Sequence, residues 1–237
     1  MSARYVVPVA FVVTMLLPPA ARAAVTAWTE VVVRVYDTTP QSSADRQAAL
    51  DVAATIVSAA SLEVIWVACD QEGKRQRAKG KGEGIGVRDK GIGVRDKGIG
   101  VRVCDTPVRA GELALRIVSS GGPIDDHGNL PLGDALIDTR AGAGVLATVY
   151  WDRVAWMAAQ TGADRRALLG RAIAHELGHL LMATRAHGEG GLMRAVWSRA
   201  ELRRSRTTDW VFGPVEIATI RARTGVRGGH GSDLSMD

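Results

Sequence analysis

Hydrophobic and polar positions fall into two patterns along the chain: short β-branched runs, and longer stretches whose apolar residues recur at helical spacing. Glu30 to Tyr36 is short and β-branched and predicts a strand. Ser42 or Ser43 can cap a helix from Ala44 to about Ala60, in which Leu50, Ala53, Ala54 and Val57 share a face. Leu62 to Ala68 predicts a second strand ending at Cys69, and the order strand, helix, strand suggests a parallel crossover. Further strands are expected at Glu112 to Val118, Asp134 to Asp138 and Val145 to Tyr150, with turn-rich sequence from Ser119 to Gly133. A short helix over Asp152 to Gln160 is broken by Thr161-Gly162. Asp164 then caps a long helix from Arg165 to about Ala183. Ser198 to Arg204 and Pro214 to Arg223 also predict helices, with Pro214 suited to a first helical turn. These elements predict one α/β (α+β) domain over residues 24–225, followed by a flexible tail over 226–237.

The N-terminal pattern is different. Arg4 precedes an apolar run from Tyr5 to Leu17, Pro18-Pro19 end it, and Ala21-Arg22-Ala23 is a small-x-small sequence. That is the layout of a secretory signal peptide over residues 1–23. The run is shorter than the roughly 20 residues a membrane-spanning helix needs. No later stretch is long and apolar enough, so no stable membrane insertion is expected after cleavage. The expected destination is the periplasm or the medium.

Composition changes this picture in three ways. With 46% hydrophobic residues but only 5% aromatics, the core must be built mainly from Val, Leu, Ile and Ala. Loss of the signal removes Arg4 and Arg22 and no acid, which lowers the formal charge from +5 to +3. The basic residues are scattered without interleaved aromatics, so no nucleic-acid partner is expected. The two cysteines, Cys69 and Cys104, are an even count in an exported chain and predict a disulfide. Closing that loop would stabilise the fold by about 4 kcal/mol in the chain-entropy model. Between them, residues 73–102 form a basic, Gly-rich insertion in which Gly84 to Lys90 is repeated as Gly91 to Lys97 and begun again at Gly98. The unit is too short to build a packed repeat layer and predicts a long loop. Nothing in the pattern speaks to oligomeric state.

The candidate chemistry sits in the long helix, at His175-Glu176-Leu177-Gly178-His179. Residues four apart on a helix lie one above the other, so both imidazoles can reach one ion. Zinc favours such nitrogen ligands and lowers the pKa of water toward about 7. Glu176, beside the first ligand, can take that water's proton. A catalytic zinc site needs a third protein ligand. His187 is the best candidate, because the helix should have ended and Gly188, Gly190 and Gly191 allow the chain to turn back. Glu189 and Glu201 are the alternatives, whereas His127 and His230 lie in polar, turn-rich segments and are expected to face solvent.

The segment His175 to Met193 resembles the zinc-binding segment of metzincin-type metallopeptidases, whose pattern is H-E-x-x-H-x-x-G-x-x-H followed by a tight turn containing Met. His175, Glu176 and His179 match directly, and Gly191-Leu192-Met193 is similar to the Met-turn. Two positions depart from it. The third His comes eight residues after the second rather than six, and Met182 stands at the Gly position. The chain therefore looks like a divergent, compact member of exported bacterial metallopeptidase-like proteins. The resemblance implies a mixed, twisted sheet with an active-site helix below it, one catalytic Zn2+, and a peptide or protein substrate. It also implies that Val145 to Tyr150, with Val145, Ala147, Val149 and Tyr150, is the sheet edge to which a peptide adds as a strand. Tyr150, Trp151 or Trp156 would then line the cleft, although core packing is the ordinary role of such residues. Two other functions fit the same residues: a zinc hydrolase of non-peptide amides, and an inactive zinc-binding or structural protein.

Overall fold

The computed structural model describes residues 29–69, 103–120, 131–138, 140–204 and 206–228. The expected signal, the repeat-containing loop, His127 and His230 lie outside the described residues.

The first strand, β1 (Thr29–Asp37), leads into helix α1 (Ser43–Ser58), whose N-terminus is capped by the Ser42 side chain accepting from Asp45 N–H. Strand β2 (Leu62–Ala68) returns beside β1 in parallel, as the strand–helix–strand pattern predicts. Three strands follow: β3 (Leu113–Val118), β4 (Gly133–Asp138) and β5 (Ala143–Tyr150). Then come helices α2 (Trp151–Thr161), α3 (Arg165–Met182), α4 (Arg199–Arg204) and α5 (Pro214–Gly228). Helix α5 runs through Gly225 to Gly228, so residues 226–228 extend a helix where a flexible tail was expected.

The result is a mixed five-stranded sheet in the order β2-β1-β3-β5-β4. Neighbours are parallel except β4, which runs antiparallel to β5. Alternation places Val31, Val33 and Val35 of β1, Leu113, Leu115 and Ile117 of β3, and Ala147 and Val149 of β5 in one buried set. Helices α1 and α3 supply Ala49, Leu50, Ala53, Val57, Leu168, Leu169, Ile173 and Leu177 to the same core. The small aromatic complement is thus compensated by branched aliphatics and alanines, as composition demands.

This order corrects the expected edge. Strand β5 is interior, between β3 and β4, and Ala147 and Val149 are fully buried in the core. The edge is β4. A two-strand antiparallel return puts the earlier strand outside the later one, and only the pairing order reveals it. Val145, Ala147, Val149 and Tyr150 are therefore not on an edge open to an added strand.

Cys69 and Cys104 form the expected disulfide. Just beyond it, the wholly buried Arg34 of β1 donates to the carbonyls of Thr106, at 2.7 Å, and Pro107, at 3.2 Å, and pairs with the Glu112 carboxylate. Glu112, expected at the start of a strand, instead serves this pair. The bridge and the ion pair together pin the chain where it re-enters the sheet at β3. Among the described residues no helix is long and apolar enough to cross a membrane.

Candidate metal centre

Helix α3 carries the site. Asp164 caps its N-terminus by accepting from Ala167 N–H at 2.9 Å, and every residue from Leu168 to Met182 is buried. A helix buried all round is held by the core on every side, which fixes the direction of His175, Glu176 and His179. Gly178 is part of that packing. A methyl at this position would lie 2.7 Å from Met193 Sδ and 2.7 Å from Phe212 Cε1, so the Met193 turn packs directly on the helix between the two histidines.

The helix ends abruptly. Ala183 adopts a left-handed φ of 48°, and its N–H closes back on the carbonyls of His179 and Leu180. The reversal expected at Gly188 to Gly191 thus begins earlier, at an alanine. Its effect is to present the Thr184 carbonyl to His179 Nδ1, at 2.8 Å. The loop then closes between Gly188 N–H and the Met193 carbonyl, at 2.8 Å, with Gly191 at φ 65° inside the turn. This returns His187 over the helix, its ring 4.8 Å from that of His179 and 5.3 Å from that of His175.

His175, His179 and His187 offer ligand atoms that all lie within 4.8 Å of one another. Two are buried and His187 is exposed. Hydrogen bonding decides which nitrogens face inward. His175 Nδ1 lies 2.9 Å from the Leu192 carbonyl and His179 Nδ1 lies 2.8 Å from that of Thr184. A carbonyl only accepts, so both Nδ1 atoms carry the proton and both Nε2 atoms, if the rings are neutral, present bare lone pairs. These two Nε2 atoms are 3.1 Å apart. Two lone pairs facing each other at that distance repel unless a cation lies between them. Tetrahedral coordination at Zn–N distances of 2.0–2.1 Å would space two ligand nitrogens by about 3.3 Å, so the donors fit a metal of this size. Backbone carbonyls on the outer nitrogens are the usual way proteins orient such ligands.

The electrostatics agree. Burial pushes the His175 pKa down to about 4 and also lowers that of His179, so both rings are neutral at neutral pH, the form that can ligate a metal. Burial, aided by the nearby Asp134 carboxylate, pushes Glu176 up to about 8. A dication held by the histidines would favour the charged form and pull Glu176 back down.

Glu176 faces a cleft of about 570 Å³. One wall is the segment Pro131 to Leu136, including the N-terminal part of β4. Arg194 to Trp197, Leu202, Met157, Ala172 and Arg185 also line it, together with the three histidines. Gly133 is where the strand meets the catalytic candidate: a methyl there would lie 2.7 Å from Glu176 Cγ.

Other candidates have different roles. Glu201 accepts from Ser198 N–H at 2.9 Å and Ser198 Oγ at 2.6 Å, capping α4, and pairs with Arg194. Glu189 is exposed and outside the ligand cluster. Tyr150 donates to Asp134 Oδ1 at 2.7 Å while Arg153 stacks on its ring and donates to the Pro131 carbonyl, so Tyr150 braces the β4 wall from behind. Trp151 is buried under Arg165, and neither it nor Trp156 lines the cleft. The cleft tryptophan is Trp197, which no local pattern in the sequence marks.

The chain matches no protein-family model, no curated protein and no solved structure.

Proposed function

We propose that this chain is an exported zinc metallopeptidase. The observation that carries the reading is the pair of bare Nε2 atoms of His175 and His179, 3.1 Å apart, with His187 folded over them and the buried carboxyl of Glu176 on the adjoining helix position. A zinc ion held there would act as a Lewis acid toward a carbonyl and make water nucleophilic at neutral pH. Glu176 is the general base: it takes a proton from water and passes it to the leaving amine. Its burial excludes bulk water and keeps the proton local.

The peptide class is supported by the cleft. Strand β4 is the last strand of the sheet and runs beside Glu176, so its outer backbone groups can pair with an extended substrate. The expected strand addition is retained, with β4 (Gly133 to Leu136) in place of β5.

Metal analysis of the purified protein by mass spectrometry tests the reading, with His187→Ala and Glu176→Gln alongside. The expected result is close to one zinc per chain in the parent, clearly less in His187→Ala, and full zinc but no peptide cleavage in Glu176→Gln. Folded parent protein with no zinc would refute the metallopeptidase reading. Full zinc with no activity on any peptide in a diverse library would refute its catalytic part.

A further inference from the structure

The Leu192 carbonyl carries two hydrogen bonds. It accepts from His175 Nδ1 at 2.9 Å and from the Trp197 indole Nε1 at 3.2 Å. Trp197 also meets the His175 ring edge-on, with centroids 5.6 Å apart, and meets Trp210 edge-on at 5.0 Å. The guanidinium of Arg171 lies 4.3 Å over the Trp210 ring. Arg171 is one turn before His175, so the stack leaves α3 and returns to it. Leu192 N–H is held in turn by the Val211 carbonyl at 2.9 Å. Leu192, whose carbonyl orients the first ligand, is therefore held at both its N–H and its carbonyl.

We propose that Trp197 is a positioning residue for His175: its indole N–H holds the Leu192 carbonyl where it must accept from Nδ1, and so keeps Nε2 bare and aimed at the metal point. A neutral imidazole has two tautomers, and the hydrogen bond at one nitrogen decides which nitrogen is free to ligate. Because Trp197 also lines the cleft, the substrate-facing wall and the orientation of the first ligand form one unit. The expected effect on zinc affinity rests on the zinc reading above; the effect on the His175 tautomer does not.

The stack contains its own control. Among the described residues the Trp210 indole Nε1 has no hydrogen-bond partner, so Trp210→Phe trims the same kind of ring from the same stack without losing a hydrogen bond seen there. Trp197→Phe trims the ring and loses the bond to Leu192. The tautomer is read from the side-chain 15N shifts of His175 in the metal-free full chain, and zinc affinity from competition with a chromogenic chelator. We expect the Nδ1–H form in the parent and in Trp210→Phe, and a mixture of tautomers in Trp197→Phe. Zinc affinity should fall about tenfold in Trp197→Phe and stay at the parent value in Trp210→Phe. An unchanged tautomer and parent-like affinity in Trp197→Phe would overturn the proposal. Equal affinity losses in both variants would overturn it too, because packing alone would then account for them. A parent that binds no zinc, but whose Nδ1–H form is lost in Trp197→Phe, would refute the zinc reading and support this one.

Discussion

Gly133→Ala is the sharpest test of how the site is assembled. Its Cβ would stand 2.6 Å from the Thr148 carbonyl oxygen, 2.7 Å from Glu176 Cγ and 2.8 Å from Glu176 Oε1. The first neighbour is backbone of the paired strand and cannot retreat without breaking the β4–β5 ladder. The second must move from 2.7 Å to at least 3.4 Å to reach ordinary contact, a displacement of about 0.7 Å. Overpacking of this kind costs about 1–3 kcal/mol. For a domain of this size, 2 kcal/mol lowers the melting temperature by roughly 4–8 °C. Misplacing a catalytic group by about 1 Å can cost on the order of a hundredfold in rate, so kcat/KM on a cleaved peptide should fall by tens to a hundredfold. Zinc affinity should not change, because His175 and His179 are anchored through Leu192 and Thr184 rather than through β4. Calorimetry, chelator competition and a peptide-cleavage assay read the three effects separately. Parent-like kcat/KM with an unchanged melting temperature would show that Gly133 does not press on Glu176, and would remove β4 as the wall beside that carboxyl.

Gly178→Ala should destabilise despite the roughly 1 kcal/mol that alanine gains over glycine inside a helix, because its methyl would meet Met193 Sδ and Phe212 Cε1 at 2.7 Å; a raised melting temperature would refute the close approach of the Met193 turn. Stability of the metal-free protein should also depend on pH in a specific way. Folded Glu176 holds its proton up to about 8 against an ordinary value of 4.5, so over that range the folded state binds more protons and stability falls as pH rises. His175 acts oppositely between about 4 and 6.5, where the unfolded chain binds the proton and stability rises with pH, and His179 shifts in the same direction. The two effects offset below 6.5, and above it the Glu176 fall remains. The metal-free melting temperature should therefore drop between pH 6.5 and 8, and Glu176→Gln should abolish the drop; the same slope in both proteins would mean that Glu176 is not its source.

Local rules carried much of this protein in its sequence. The helix of the candidate metal ligands was legible because its cap, Asp164, and its apolar spacing act within a few residues, and the four-residue step between His175 and His179 follows from helix geometry alone. The Cys69–Cys104 bridge followed from cysteine count, and the parallel β1–α1–β2 unit from its pattern. His187 is legible from its place after the helix, and the turn that returns it uses Ala183 at the helix end as well as the expected glycines, Gly188 and Gly191. What the sequence could not carry were relations between distant segments. Edge status depends on which strand pairs outermost, so β4 rather than β5 borders the cleft. The bond from Trp197 to Leu192, the stack onto Arg171, and the contact of Gly133 with Glu176 each join segments whose periodicity says nothing about one another. Local propensity and spacing decide which elements form and which side chains share a face. Close packing of those elements alone decides which backbone carbonyl orients His175 and which strand stands beside Glu176.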